Sequence, residues 1–240
     1  MSYVTMWAEL RILQATGIKV MGMLGGAAKG SFTRLDQDEA TFELYYVPLR
    51  NLIRERGLDG LDLDVEEEMN LAGIIRLIDR LKADFGRGFI ITLAPVAAAL
   101  ISERPEHNLS GFNYEALEVM RGSSIECKTA GYDMMMMRGW PAHKVVVGMV
   151  TNPGNGNGWV PFEPLREVLL NLKSRYPTFG GVMGWEYFNS LPGDKDRPWE
   201  WAAWMTKVLE ATNNNVDDDL QGDAPLPAEF EYHSEGLWED

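Results

Sequence analysis

Residues 57–68, GLDGLDLDVEEE, contain six carboxylates, and three of these acids occupy alternate positions. The alternating acids, called the acid row below, are Asp62, Asp64 and Glu66. The residues between and before them are Leu61, Leu63 and Val65. Side chains two residues apart on a β-strand point to the same face, so a strand places the acids on one face and the apolar residues on the other. A helix would spread both sets around its surface. We therefore predict a strand with one acidic face.

Carboxylates arranged in this way raise each other's pKa. Alternate residues of a strand are about 6.5 Å apart at the backbone, and two like charges at that distance repel by about 2.5 kcal/mol at an effective dielectric near 20. That repulsion corresponds to a pKa shift of about two units. A general acid needs such a shift, because it must stay protonated near neutral pH. Glu66, the last acid of the row, would lie at the carboxyl end of the strand, where barrels of parallel strands build their active sites.

Three other interpretations of the acids were compared with this one. A solvated acidic loop would explain Glu67 and Glu68, but it does not explain the alternation with leucine and valine. A helix-loop-helix calcium site would need glycine at Glu67 and glutamate at Gly73, so the pattern fails. A cluster of carboxylates that binds a divalent metal stays an alternative, although no histidine lies nearby in sequence to support it.

The segments around the acid row predict the elements that position it. Short apolar runs bounded by glycine alternate with longer segments of helical period, which is typical of βα units and a mostly parallel sheet. Five runs predict strands: IKVMGMLGG, LDGLDLDVE, FIITLAPV, KVVVGMV and FGGVMGWEYF. Among the helical segments, LAGIIRLIDRLKADF carries an apolar stripe formed by Ile74, Ile75, Ile78 and Leu81.

Composition limits the class of protein. The chain has 240 residues, 45% hydrophobic, which is enough for one sizeable core. Its net charge is −14, and residues 217–240 carry nine of the acids and no Lys or Arg. We expect residues 212–240 to be a disordered acidic tail and nucleic acid not to be a partner. Cys127 is the only cysteine, so the chain has no internal disulfide and no cysteine-rich zinc site.

The chain carries no pattern of a signal peptide or a membrane span. We expect a monomer that is soluble and unexported as written, needs no cofactor and does not bind membranes; an export signal upstream of this sequence would change the expected location. Two further residues are candidate substrate contacts. Asn152 lies in TNPGNGNGW, whose turn-forming residues directly after a strand predict a βα loop on the active face. Trp185, near the end of the last strand, fits either a core position or a stacking floor for a sugar ring.

Residues 59–66, DGLDLDVE, resemble the D-G-x-D-x-D-x-E signature of glycoside hydrolase family 18, the chitinases and endo-β-N-acetylglucosaminidases. Gly25 and Gly26 close an earlier strand, where the family often shows S-x-G-G, and Met23 stands in place of the serine. Trp185 is on the final strand, where the family keeps a tryptophan beneath the sugar. The chain is most similar to the fungal single-domain members. This resemblance implies an α/β fold of the (β/α)8 TIM-barrel type.

The resemblance also implies a substrate-assisted retaining mechanism on sugars that contain N-acetylglucosamine. By that analogy Glu66 protonates the glycosidic oxygen, and the sugar's own 2-acetamido oxygen attacks the anomeric carbon. Asp64 would hydrogen-bond the acetamido N–H, and Asp62 would share a proton with Asp64. Asp59 and Gly60 would be structural parts of the signature. Gly25, Gly26, Asn152 and Trp185 would contact substrate, and no metal is required.

The sequence also departs from the family. Only five strands are clear, the chain opens on the helix-like segment WAELRILQATG, and the stretch between FIITLAPV and KVVVGMV offers only GSSIECKTAGYD. We therefore expect residues 1–211 to form an incomplete barrel that lacks the family's first, second and sixth strands. Such a barrel exposes strand edges, which is consistent with a truncated or mis-spliced enzyme. A second hypothesis follows, a non-hydrolytic or inactive relative that only binds such sugars. The sequence does not decide between chitin and the chitobiose core of N-glycans.

Overall fold

The structure is a computed structural model that describes residues 3–102, 104–117, 124–126 and 129–211. The predicted acidic tail, residues 212–240, lies outside the described residues, as does Cys127. No helix among the described residues combines the length and the apolar character that crossing a membrane requires.

Strands and helices alternate along the described chain, as the sequence predicts. The strands are β1 Met21–Gly25, β2 Gly60–Asp64, β3 Ile90–Leu93, β4 Ser124–Glu126, β5 Val146–Val150 and β6 Val182–Trp185. The α-helices are α1 Tyr3–Ala15, α2 Ser31–Leu35, α3 Glu39–Arg56, α4 Leu71–Phe85, α5 Ala97–Ile101, α6 Thr129–Met137, α7 Phe162–Arg175 and α8 Trp199–Glu210. All five predicted strands are confirmed.

The six strands form two three-stranded sheets, in the orders β1-β2-β3 and β4-β5-β6. The pairs β1–β2, β2–β3 and β4–β5 are parallel. Among the described residues no strand pairing joins the two sheets, so the barrel is not closed. The predicted fold class, an incomplete parallel βα barrel, is confirmed.

One prediction about the strands is wrong. The stretch between β3 and β5, where the family's sixth strand was expected to be missing, contains β4, which pairs in parallel with β5. The sequence of β4 is SIE, only three residues with one apolar position. Periodicity cannot identify so short a strand, because one apolar residue defines no repeat.

Helix α4 shows how the apolar stripe follows the helical repeat. Its buried residues include Ile74, Leu77, Ile78 and Leu81, which recur at intervals of three and four. Ile75, which was assigned to this stripe from the sequence, is instead 37% exposed. Leu77 takes the core position, because it lies in phase with the other three residues.

The described chain divides into two compact units. The first unit contains Met1–Met149 and Tyr176–Met183, and the second contains Val150–Arg175 and the chain from Gly184 onward. The first sheet and the acid row belong entirely to the first unit. Asn152 and Trp185 belong to the second.

Candidate active site

The acid row lies on β2, the middle strand of the first sheet. The apolar residues that alternate with the acids are buried, as predicted, since Leu61, Leu63 and Val65 are at most 3% exposed. Asp62, Asp64 and Glu66 are each partly exposed. Asp62 and Asp64 belong to the strand itself, and Glu66 lies two residues beyond its carboxyl end. The strand therefore buries one face and presents Asp62 and Asp64 on the other, and the same alternation leaves Glu66 partly exposed just beyond the strand.

Asp62 is bonded across the sheet. It is paired with Thr92 of β3 in the strand register, and the Thr92 hydroxyl donates a hydrogen bond to Asp62 Oδ1. Burial raises the pKa of Asp62, and the bond from Thr92 offsets only part of that effect. Asp62 is therefore harder to ionise than an ordinary aspartate, which suits a carboxyl group that shares a proton with a neighbour.

Asp64 is the acid of the row with the largest perturbation that is resolved. Burial, followed by the negative charges of Glu66 and Asp62, raises the pKa of Asp64 from 3.8 to about 6. Burial is the largest cause of this shift, and repulsion between alternate carboxylates adds to it with the predicted sign. The acid row can therefore hold and release a proton near neutral pH.

Gly25 and Gly26 bring the backbone of the β1–α2 loop next to Asp64. The Gly26 N–H donates to the Asp64 carbonyl oxygen at 2.9 Å. Gly25 has a φ of +104°, and a Cβ there would overlap the same carbonyl oxygen and the Phe32 ring. Glycine is required at this position, because only glycine combines that φ with so close an approach. The two glycines thus form a wall of the acid row.

Glu67 is a residue of this region whose environment the sequence analysis did not predict. From the sequence, a solvated acidic loop would explain Glu67, yet Glu67 is only 7% exposed. Its carboxylate accepts hydrogen bonds from Gly30 N, Phe32 N and Thr33 Oγ1. A signal was available, since Glu67 has the same parity as Leu61, Leu63 and Val65 and so falls on the buried side of the chain.

Asp59 and Gly60 lie at the other end of β2. Asp59 Oδ2 accepts from Val20 N at 2.9 Å and from Gln14 Nε2 at 2.7 Å, and Lys19 Nζ lies 3.6 Å from Oδ1. The bond from Gln14, with those from Val20 and Lys19, holds the pKa of Asp59 below its ordinary value. A Cβ at Gly60 would overlap the Ile90 carbonyl oxygen. These contacts connect the strand entrance to α1, β1 and β3.

Asn152 and Trp185 lie in the second unit. Each end of the Asn152 amide makes a hydrogen bond within this unit. Oδ1 accepts from Gly154 N at 2.9 Å, and Nδ2 donates to Asn189 O at 2.8 Å. Trp185 ends β6, its backbone carbonyl accepts from Thr151 N at 2.9 Å, and its side chain is 45% exposed. A core position for the indole is therefore excluded within this unit. The expectation that Trp185 shares a pocket with Glu66 stays a prediction, because the two residues belong to different units.

A polar cavity of about 610 Å³ lies beyond the acid row in the first unit, with Glu68, Asn70 and Asn108 in its lining. Its polar groups are largely paired with each other. Asp36 Oδ2 accepts from both the backbone and the side-chain nitrogen of Asn70, and the Asn108 amide bonds Phe112 O and Ser110. None of the acid row lines this cavity, so the row itself defines the candidate site. Within the described residues, no group of three or more His, Cys, Asp or Glu side chains is arranged to hold a metal ion.

Similarity to known proteins agrees with this geometry. No family model matches the chain. The chain is 47% identical to a fungal endo-β-N-acetylglucosaminidase of glycosyl hydrolase family 18, with a TM-score of 0.80 over 86% of this chain and 77% of that one. It is 52% identical to the chitinase ChiC of Aspergillus fumigatus, with a TM-score of 0.75 over 85% and 77% of the two chains.

A curated relative, chitinase 2 of Rhizopus oligosporus, is 28% identical over an alignment of 203 residues that covers 75% of this chain. The chain spans only 36% of the length of that relative. The two solved structures establish the family of this chain. Each is well above 30% identical to it, and the chain covers more than two thirds of each. The chain belongs to glycoside hydrolase family 18.

Proposed function

We propose that this chain is a glycoside hydrolase that cleaves β-1,4 bonds next to N-acetylglucosamine, in chitin oligosaccharides or in the chitobiose core of N-glycans. The observation that carries the proposal is the acid row, three carboxylates on one face at the carboxyl end of β2. Solved relatives at 47% and 52% identity are an endo-β-N-acetylglucosaminidase and a chitinase, which supports the choice of substrate class.

Glu66 is the general acid in this proposal. Its proton passes to the glycosidic oxygen as the bond from that oxygen to the anomeric carbon breaks. The acetamido carbonyl oxygen of the same sugar forms a new bond to the anomeric carbon, which gives an oxazolinium ion. Water then adds to that carbon, its proton passes to the Glu66 carboxylate, and the oxazolinium ring opens. The two displacements together retain the configuration.

Asp64 and Asp62 support the intermediate. An ionised Asp64 hydrogen-bonds the acetamido N–H and stabilises the positive charge of the oxazolinium ion. Its pKa of about 6 lets it exchange a proton with Asp62, whose pKa is also raised, within one cycle. The row therefore acts as a coupled set of three groups, in which Glu66 delivers the proton and the two aspartates adjust to the charge that develops.

Trp185 is proposed to supply an apolar face for a sugar ring. The partly exposed indole supports this role, and Tyr187 and Phe188, which follow it in sequence, are each more than half exposed. Trp185→Ala is expected to raise KM several-fold with a smaller change in kcat, measured with a chitooligosaccharide. Asn152 is less suited to contact substrate, because both ends of its amide are already bonded.

A non-hydrolytic relative that binds N-acetylglucosamine sugars is the second candidate. Met23 favours it, because this residue stands opposite Asp62 in the strand register, where the family pattern has a serine. A thioether cannot donate the hydrogen bond that a hydroxyl gives to a carboxylate. This candidate predicts sugar binding by a folded chain without turnover.

A matched pair of substrates tests the proposal. The full chain is incubated with a chitooligosaccharide and with the cello-oligosaccharide of equal length, which has a hydroxyl in place of each acetamido group. We expect cleavage of the first only, with the β-anomer as the initial product in proton NMR, because the mechanism needs the internal nucleophile. Equal cleavage of both substrates, or an initial α-anomer, would contradict the mechanism. Binding without cleavage would favour the second candidate.

A further inference from the structure

We propose that Glu67 is a positioning residue of this site, which holds the peptide carrying Glu66 against the start of helix α2. The inference rests on the proposed role of Glu66 as the general acid. Glu67 itself does not touch substrate in this proposal. It acts by fixing where its neighbour can point.

The Glu67 carboxylate accepts three hydrogen bonds, all from residues 30–33. Oε1 accepts from Phe32 N at 2.7 Å, and Oε2 accepts from Gly30 N at 2.8 Å and from Thr33 Oγ1 at 2.6 Å. Burial alone raises the pKa of Glu67, but the bonds from Thr33, Gly30 and Phe32 together outweigh it and hold the pKa below the ordinary value. Glu67 is therefore an ionised carboxylate fixed by three charge-assisted hydrogen bonds, which are stronger than neutral ones.

The backbone around Glu66 has few other restraints. The last backbone bond of the strand region joins the Asp64 carbonyl to Gly26 N, and the next one along the described chain joins Met69 N to Ser110 O. Residues 65–68 between these points make no other backbone hydrogen bond within the described part of the chain. The Glu67 side chain is thus the polar anchor of the segment that carries Glu66.

The same anchor holds the opposite wall of the site. The loop of residues 26–30 begins at Gly26, which is bonded to Asp64, and ends at Gly30, which is bonded to Glu67. Both ends of this loop are therefore attached to the segment that carries the acids. Loss of the Glu67 bonds would release Glu66 and the loop beside Asp64 together.

Glu67→Gln tests the proposal, with Glu68→Gln as the matched control. Glutamine keeps the size of the side chain but replaces one oxygen by an NH2 group, which then faces a backbone N–H of Gly30 or Phe32. We expect kcat on a chitooligosaccharide to fall by about 10- to 100-fold, because small displacements of a reacting group cost that much, while KM changes less than about threefold. The exposed Glu68 loses the same charge and should keep wild-type kinetics. Equal losses in the two variants would overturn the proposal.

The pH profile separates positioning from simple loss of folded protein. If Glu66 moves away from Asp64, its charge no longer raises the pKa of Asp64, and the acidic limb of kcat/KM, which reports ionisation of Asp64, shifts to lower pH. Asp62 and the buried Tyr114 hydroxyl are the other groups with raised pKa values that interact electrostatically with Asp64. A smaller folded fraction only scales the profile. A reduced rate with an unmoved limb would overturn the proposal.

Thr33→Val gives a milder variant that keeps two of the three donors to Glu67. We expect kcat to fall about threefold, as for the loss of one hydrogen bond of moderate strength. In the double variant, Thr33→Val should lower kcat hardly further than Glu67→Gln alone, because Thr33 acts through Glu67. If Glu67→Gln does not fold, Thr33→Val carries the test, and wild-type kinetics in that variant would overturn the proposal.

Amide hydrogen exchange gives a readout that does not need activity. The Gly30 and Phe32 amides donate to Glu67, so both should exchange faster in Glu67→Gln than in Glu68→Gln. Unchanged exchange would overturn the anchor. If the wild-type chain cleaves nothing, the proposed function fails, and faster exchange would still support the anchor as a feature of this chain.

Discussion

At the amino end of β2, Asp59 accepts hydrogen bonds from Val20 and Gln14 and lies near Lys19. At the carboxyl end, Asp64 lies next to the charges of Asp62 and Glu66. The two aspartates belong to one eight-residue signature, yet the pKa of Asp59 is lowered and that of Asp64 is raised to about 6. Residue type alone does not decide what an acid does.

The difference follows from donors and neighbours. Asp59 accepts hydrogen bonds from Gln14 and Val20 and pairs with the positive charge of Lys19, so it stays ionised and ties the strand entrance to α1 and to the residue before β1. Asp64 is partly buried among like charges, which raises its pKa to about 6, so it gains or loses its proton closer to neutral pH than an ordinary aspartate does. At the amino end of β2, Asp59 therefore stabilises the fold. At the carboxyl end, Asp64 is harder to ionise and able to exchange a proton.

The largest expected effect comes from Glu66→Gln. The amide is nearly isosteric and still binds the sugar, but it cannot deliver a proton, so kcat on a chitooligosaccharide should fall by roughly 10² to 10⁴. The unfolding midpoint and the affinity for the sugar should change little, which denaturation and calorimetry can measure. Wild-type turnover in this variant would show that another residue is the acid.

Asp64→Asn should slow turnover by roughly 10²-fold, since the oxazolinium ion loses its charge partner. The same substitution should increase stability at high pH, although it lowers turnover. The folded chain binds the Asp64 proton more tightly than the unfolded chain, so wild-type stability falls as pH rises from 3.8 through about 6. Urea unfolding should find the variant more stable than wild type above that window by about 1 kcal/mol, a figure reduced for partial exposure, and equal to it below. Equal stabilities at both ends of the window would contradict the shift.

Asp59→Asn should affect stability rather than turnover. Its lowered pKa makes the ionised form stabilising at neutral pH, and that contribution is lost as pH falls below 3.8 through the folded-state pKa. We expect the variant to lose about 1 kcal/mol near neutral pH, the typical worth of a hydrogen bond, with kcat within about twofold of wild type. A large loss of kcat at unchanged stability would place Asp59 in the chemistry instead.

Much of the fold could be predicted from the sequence, because its strands and helices repeat over enough residues to show a period. The alternation of Leu61, Leu63 and Val65 with the acids predicted which side chains of β2 are buried. Ile75 was misassigned because it is apolar and adjacent to the stripe, although the helical repeat favours Leu77.

The site was harder to predict where a residue depends on partners distant in sequence. The donors to Glu67 lie more than thirty residues away, at the start of α2, and no local pattern indicates them. The contact between Asn152 and substrate stays a prediction; its amide also bonds Gly154 and Asn189, which no local sequence pattern indicates. Propensity and spacing identify which residues can do chemistry, and only packing shows which of them remain available.

The most direct test of the contrast between the two ends of β2 is a titration of the aspartate side-chain carboxyl carbons by NMR in the full chain. Signals can be assigned by their loss in Asp64→Asn and Asp59→Asn. We expect Asp64 to titrate near pH 6 and Asp59 to titrate below its ordinary value of 3.8. If both carboxyl groups titrate together near that ordinary value, the two ends of the strand are not electrostatically distinct, and the proposed division between stability and proton transfer is wrong.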